Sequence, residues 1–390
     1  HAQCAAQEEA VVIAPARRIG VGDVRLSEKA KRNVNLAMDS DRLTYGPWCR
    51  AFEDRFATLH GRLFACFVSS GTDALRIGLA AMKEKHGWPN GAKIALPSVT
   101  FVASLNVIIQ NRLSPFFVDI ELEHFGFPQT PESDVANVVS GIMPVHLFGH
   151  PSPTPTWFSK FVPVIVDSCE TMFMPGCAVG EVSCFSTYAA HLITTGVGGL
   201  VTTNDANLAT LIRSLANHGR SGVYASMDDR LGVRETMDAR FQFDRPGYSS
   251  RGTEIQAAIG CAELDEWPAN IATRQRNALL LREGLRGLPL VTPGWELKDS
   301  AWKMFPILSE KRDALCLHLE ANGVETRPLL PLTSQPFVRK LWQGLTWRDI
   351  DQVLPNAARV NREGFYIGCH PGLAAGDIAY IVEVFRRFYE

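Results

Sequence analysis

Seven short apolar runs, several of them separated by segments of helical length, dictate the kind of fold open to this chain. The runs lie at 65–69, 93–97, 115–120, 141–147, 163–167, 183–188 and 199–203. They carry Val, Ile or Phe without clean alternation, as strands covered on both faces do. Helices are predicted between them over 72–84, 102–110, 206–217 and 253–266. The alternation implies an α/β fold, a mostly parallel sheet with helices on both sides, over residues 45–267. Residues 1–44 form a leading segment. After Trp267-Pro268 the pattern changes, and residues 268–390 read as a smaller C-terminal α/β domain. A basic helical stretch over 271–286 leads into it, strands are expected at 304–308 and 326–329, and a helix at 375–388 closes it.

Composition excludes several classes of function. Hydrophobic residues make up 46% and charged residues 21% of the 390, which is globular usage and not that of a disordered chain. Lys and Arg number 39 against 41 Asp and Glu, a net charge of −2, so there is no basic excess to grip nucleic acid or an anionic membrane. No apolar run approaches the ~18 residues of a membrane-spanning helix. The first eighteen residues hold only the apolar run Val11–Ala14, too short for a secretory signal. Nine cysteines are scattered without a CxxC pair. That usage predicts free thiols, a cytoplasmic location and no structural metal site.

In an open parallel sheet, ligands bind where strands end and helices begin. Ser69-Ser70-Gly71-Thr72-Asp73 joins a strand to a helix. Free N–H groups at such a start suit a phosphate, or Thr72 is simply the helix cap. Val164-Ile165-Val166-Asp167 ends a buried strand in a carboxylate that needs a partner, either a ligand cation or a local backbone bond. Ser186, in the next strand, can offer its hydroxyl to a phosphate, and His191 follows just past that strand, where a loop should begin. Phe101, after Pro97-Ser98-Val99-Thr100, can stack on a flat ring or pack in the core. No P-loop, HExxH, GxSxG or strand-linked GxGxxG is present, which argues against the hydrolase, peptidase and dehydrogenase classes those motifs mark.

From about Leu43 onward the chain resembles the fold-type I (aspartate aminotransferase-like) pyridoxal-phosphate (PLP) sugar aminotransferases of the DegT/DnrJ/EryC/StrS group. The resemblance rests on Gly46, Phe52-Glu53, Ser70–Leu75, Pro97–Val102, Val118-Asp119-Ile120, Pro144–Gly149, Gly198-Gly199, Asn217-His218-Gly219, Gly247-Tyr248, Arg251 and Thr253–Ala258, in order and spacing. It implies that Gly71, Thr72 and Ser186 hold the cofactor phosphate and that Phe101 stacks on the pyridine ring. Asp167 would pair with the ring nitrogen, and Glu170 would lie near the ring oxygen. Ser249 stands where relatives lend an Asn across a homodimer with shared sites. Gly46, Arg251 and Arg327 are candidate substrate contacts, the arginines toward a diphosphate.

Position 191 departs from the aminotransferase pattern, in which a lysine carries the cofactor covalently. His191 has no primary amine to condense with an aldehyde, yet it can move protons near neutral pH. The stretches His191–Gly199, Asp167–Met172 and Gly364–His370 are similar to the histidine branch of nucleotide-sugar 3-dehydratases, which act on substrates such as GDP-4-keto-6-deoxymannose. That resemblance implies non-covalent cofactor in its amine form (PMP), His191 as base and then acid, and an amino-acid donor, glutamate, to restore the amine. The expected reaction is removal of the C3 hydroxyl from a nucleotide-linked 4-keto-6-deoxyhexose. His218 matches a second branch histidine, or caps a helix beside Gly219. Residues 219–260 contain no cysteine, so no iron–sulfur cluster and no reductase partner are expected. Two rival readings remain: an aminotransferase using another lysine, Lys303 foremost, and a cofactor-binding regulator without catalysis.

Overall fold

The computed structural model describes residues 18–129, 135–153, 162–221, 241–330, 332–341 and 347–390. Cys4 and the Val11–Ala14 run lie outside them. Two helices, α1 (Glu28–Asp39) and α2 (Pro47–Leu59), precede the sheet. Then follow β1 (Phe64–Val68), α3 (Gly71–Lys85), β2 (Lys93–Pro97), α4 (Val102–Gln110) and β3 (Ser114–Val118). A short α5 (Val135–Val138) leads to β4 (Gly141–Ile142), β5 (Ile165–Asp167), β6 (Val182–Ser186), β7 (Gly199–Thr203) and α6 (Ala206–Ala216).

Hydrogen bonds order these strands β1-β7-β6-β5 and β3-β2-β4. Parallel bridges Ile142–Val164 and Val145–Asp167 join the two groups into one seven-stranded sheet, β3-β2-β4-β5-β6-β7-β1. Strands β2, β3, β4, β5 and β6 pair in parallel, whereas β7 runs antiparallel to both neighbours. The reversal has a simple cause. The β6–β7 connection, residues 187–198, contains no helix to carry the chain back across the sheet, and a parallel return needs such a crossover. That connection is where His191 lies. The strand expected at 141–147 shrinks to two residues, because from Met143 onward the backbone bonds as single bridges.

Helix α7 spans Glu254–Gly284. The sequence reading broke it at Trp267-Pro268, but the helix continues through Pro268. A proline removes one backbone donor and disfavours a helix interior; packing overrides that cost. Asn33 of α1 donates to the Ala258 carbonyl at 3.1 Å, and Ala257, Ala258, Cys261, Ile271, Ala278 and Leu281 are all buried.

Beyond α7 lie β8 (Met304–Leu308), α8 (Arg312–Ala321), β9 (Arg327–Pro328), α9 (Pro336–Leu341), α10 (Trp347–Val353), α11 (Pro355–Glu363), β10 (Gly364–Gly368) and α12 (Ala375–Tyr389). A second antiparallel sheet, β8-β10-β9, gathers a core of Phe305, Ile307, Phe365, Ile367, Val384 and Phe385. The leading segment reaches into it: Ile19 exchanges backbone bonds with Gly323 and Glu325 at 2.7 and 2.9 Å. Among the described residues no helix is long and apolar enough to cross a membrane.

Candidate active site

The carboxyl ends of β1, β2, β5 and β6 converge on one edge of the sheet. At the first, α3 starts with Ser70 as its cap: the Ser70 hydroxyl accepts from Asp73 N–H at 3.0 Å. Thr72 is therefore not the cap, and its side chain is exposed. Among the described residues the N–H groups of Gly71 and Thr72 have no partner in the first turn, where the helix dipole favours an anion. Gly71 is a contact glycine: a Cβ there would stand 2.5 Å from Cβ and 2.9 Å from Oγ of Ser186. Only a bare backbone lets the end of β6 press against this helix start. Ser186 is 6% exposed and its Oγ accepts from Tyr188 N–H at 3.3 Å.

Asp167 ends β5 at 5% exposure. Its Oδ2 accepts from Ser104 Oγ at 2.7 Å, and its Oδ1 from Cys169 N–H at 3.0 Å. Burial pushes its carboxyl above the usual range, and these two donors pull the other way. Among the described residues no lysine or arginine forms an ion pair with it. A buried carboxylate held by two hydrogen-bond donors can take a ligand cation as its partner. Ser104 escaped the sequence reading; its only signal is a serine four residues after Thr100, whose hydroxyl it meets at 2.9 Å. Phe101, at the start of α4, is 55% exposed, so its ring is available for stacking and is not core.

Glu170 and Lys303 form a buried ion pair, Nζ to Oε1 at 2.7 Å, with side chains 12% and 3% exposed. The other Glu170 oxygen accepts from Phe148 N–H at 3.0 Å. His191 sits in a loop stitched at four points: Thr187 N–H to Gly198 O, Ala189 N–H to Gly196 O, Thr195 N–H to Thr187 O, and Asn270 Nδ2 to Leu192 O, all 2.9–3.0 Å. The imidazole Nδ1 lies 3.2 Å from the Ser186 carbonyl. A carbonyl can only accept, so Nδ1 donates to Ser186, and the Cys169 backbone also faces the ring. Burial first, and the charge of Lys303 next, hold the imidazole well below the usual histidine range. Beside it opens a cleft of about 530 Å³, walled by Asp23, Arg25, Glu263, Asn270, Arg274 and Gly372 among others.

The remaining candidates stand farther out. His218 is exposed at φ +64° just beyond α6, and Gly219 N–H donates to Ser214 O at 2.8 Å, closing the helix end. Its backbone is thus the capping element; among the described residues no contact joins its ring to His191. Ser249 and Arg251 are exposed and bonded to each other at 3.3 Å, on a segment bridged to Asn217 and to Val68 at the end of β1. Arg327, on β9, pairs with Glu325. Gly46 caps α2, and its N–H donates to Glu254 Oε1 at 2.6 Å.

Sheet order, reversed β7 and the groups at the carboxyl edge together describe the aminotransferase-like fold of pyridoxal-phosphate enzymes. The solved Escherichia coli GDP-4-keto-6-deoxy-D-mannose-3-dehydratase with bound hydrated PLP superposes with a TM-score of 0.81 at 22% identity, covering 94% of this chain and 99% of that one. The model of the DegT/DnrJ/EryC1/StrS aminotransferase family matches residues 24–386. The chain belongs to that family. Its relatives include the GDP-4-keto-6-deoxy-D-mannose 3-dehydratase of Escherichia coli O55:H7, 25% identical over 90% of this chain and 95% of the relative. They also include the GDP-perosamine synthase of Escherichia coli O157:H7, 29% identical over 93% and 96%. It is an enzyme of the sugar aminotransferase class, and the residues at the sheet edge fit the cofactor of that class. Gly71 would leave a phosphate the open backbone at the start of α3, and Asp167 would take a protonated ring nitrogen as its cation.

Proposed function

We propose that this protein removes the C3 hydroxyl of a nucleotide-linked 4-keto-6-deoxyhexose, using pyridoxamine phosphate held without a covalent bond. The observation that carries the reading is His191, an imidazole with Nδ1 turned to the Ser186 carbonyl, in the loop position where the resembling aminotransferases place a lysine. When bound, the cofactor supplies an amine for the 4-keto carbon and a ring that takes up an electron pair. Gly71, Thr72 and Ser186 hold its phosphate, Phe101 covers one ring face, and Asp167 keeps a proton on the ring nitrogen. His191 Nε2 takes a proton from the carbon next to the ring, then returns it to the departing C3 hydroxyl. Hydroxide leaves poorly, so that second transfer matters as much as the first; positioned proton transfer contributes roughly 10²–10⁴-fold. A glutamate-type amino acid restores the amine. The working unit is a homodimer, with Ser249 and Arg251 turned toward the second copy.

Transamination is the second reading, favoured by the 29% identity to a perosamine synthase. It calls for a primary amine at the site. Lys303 is the candidate, but its ammonium is bound to Glu170 at 2.7 Å. Product analysis separates the two. With a 4-keto sugar and glutamate, the expected product is a 3-deoxy-4-keto sugar with free ammonia; an aminosugar retaining its C3 hydroxyl sinks the dehydratase reading. His191→Asn is expected to slow hydroxyl loss by about 10²–10⁴-fold while cofactor binding persists.

A further inference from the structure

Helix α4 carries a serine where burial favours an apolar residue. Ser104 is fully buried, and so are Ala103, Leu105, Val107 and Ile108 around it in the helix. Alanine would suit that helix and that burial better, because a buried hydroxyl costs free energy unless it is paired. A serine inside a helix commonly turns its hydroxyl back to the carbonyl four residues earlier. The Ser104 hydroxyl instead reaches Asp167 Oδ2 at 2.7 Å, across 63 residues of chain, and meets the side-chain hydroxyl of Thr100 at 2.9 Å. Thr100 is buried as well.

The direction of these bonds follows from the hydrogens available. A carboxylate only accepts, so Ser104 spends its one hydrogen on Asp167, and Thr100 supplies the hydrogen between the two hydroxyls. The relay runs from Thr100 to Ser104 to Asp167. Backbone fixes the rest of Asp167: its N–H donates to Pro144 O and its carbonyl accepts from His146 N–H, both at 2.9 Å, while Oδ1 takes Cys169 N–H at 3.0 Å. Ser104 thus brings the carboxyl a donor from a different element. The same residue closes the first turn of α4, since its N–H donates to Phe101 O at 3.2 Å. One serine therefore ties the segment that presents the exposed Phe101 ring to the carboxyl end of β5. The titratable groups facing the Asp167 carboxyl are Cys169 and Glu170, from the segment after β5, and Cys184, from β6. Glu170 is paired with Lys303, and the His146 ring beside β5 is turned to Ser152.

Resting on the reading of this sheet edge as a cofactor seat, we propose that Ser104, oriented by Thr100, is the positioning residue that holds Asp167 fixed and ionised as the partner of a protonated ring nitrogen. Ser104 acts through Asp167 and transfers no proton in the reaction.

The test reads Asp167 directly. Protein labelled with carbon-13 at its aspartate carboxyls is titrated by NMR without cofactor, with Asp167→Asn used to assign the signal. Ser104→Ala removes a donor to the charged form, so the Asp167 midpoint should rise by about 1 pH unit. Ser104→Thr keeps the hydroxyl and should titrate close to the parent. Thr100→Val takes away the group that orients Ser104 and should move the midpoint in the same direction by less. Pyridoxamine phosphate labelled with nitrogen-15 in its ring supplies a second readout. In Ser104→Ala the bound ring nitrogen should lose its proton at lower pH than in the parent, because a more basic carboxyl competes for it. An unmoved midpoint in Ser104→Ala, or an equal shift in Ser104→Thr, overturns the proposal. So does a lowered denaturant midpoint with both NMR signals unchanged, which would make Ser104 a packing residue. Pyridoxamine phosphate bound by Asp167→Asn as tightly as by the parent would instead sink the cofactor seat, while the carboxyl midpoint would still decide what Ser104 does to Asp167.

Discussion

Asp167 and Glu263 are both buried carboxyls, and their neighbours give them different tasks. Asp167 accepts from Ser104 Oγ and Cys169 N–H at 2.7 and 3.0 Å, and the proposed function would give it the cation of a protonated ring nitrogen. Glu263, on α7, accepts one bond, from Thr194 N–H at 3.1 Å. Burial pushes its carboxyl up to about 7, from 4.5 in the open chain. Below about 4.5 both folded and unfolded chains hold that proton; between 4.5 and 7 only the folded chain does. Stability therefore falls as pH rises through this window, by at most about 3 kcal/mol. Glu263→Gln keeps an acceptor for Thr194 and is expected to unfold at higher denaturant than the parent at pH 8. The two should coincide near pH 4.5. A difference that grows toward acid pH instead would contradict the assignment.

At the scale of elements, two helix starts illustrate opposite uses of free N–H groups. The start of α2 is closed by protein: Glu254 accepts from Gly46, Trp48 and Cys49 at 2.6, 2.9 and 2.9 Å. Glu254 belongs to the first turn of α7, whose own cap is Thr253 with Gln256. One buried carboxylate thus ties the two helices. Glu254→Gln puts an amide donor against these N–H groups and is expected to cost about 2–3 kcal/mol, read from a denaturant midpoint. The start of α3 is left open. Gly71→Ala sets a methyl against Ser186 and should weaken binding of pyridoxamine phosphate by roughly tenfold or more, about 1.4 kcal/mol, with helix content unchanged. Calorimetric titration would show it. Unaltered affinity would mean the phosphate sits elsewhere.

On the scale of the whole molecule, the site lies at one edge of one sheet, open on the side where Ser249 and Arg251 are exposed. A homodimer is expected to close it, so sedimentation should give about twice the 43.0 kDa of one chain. A monomer with full turnover would refute shared sites. Much of this architecture was legible beforehand. The apolar runs ending at Ser69, Pro97 and Asp167 placed the strand ends within a residue, whereas the run read to Tyr188 ends at Ser186, because the chain turns into the His191 loop two residues earlier. His191 announced itself by what it lacks, a primary amine. What stayed hidden depends on chain segments far apart in sequence. Ser104 reaches Asp167 across 63 residues, and Lys303 reaches Glu170 across 133. The continuity of α7 through Pro268 was hidden too, because burial against α1 and the second sheet outweighs the local penalty of a proline. Residue type and order alone determined the β/α alternation, the edge where strands give way to helices and a histidine rather than a lysine at position 191. The three-dimensional packing decided which polar groups meet. Coulomb and hydrogen-bond energies depend on distances of a few ångströms, which only the folded chain sets.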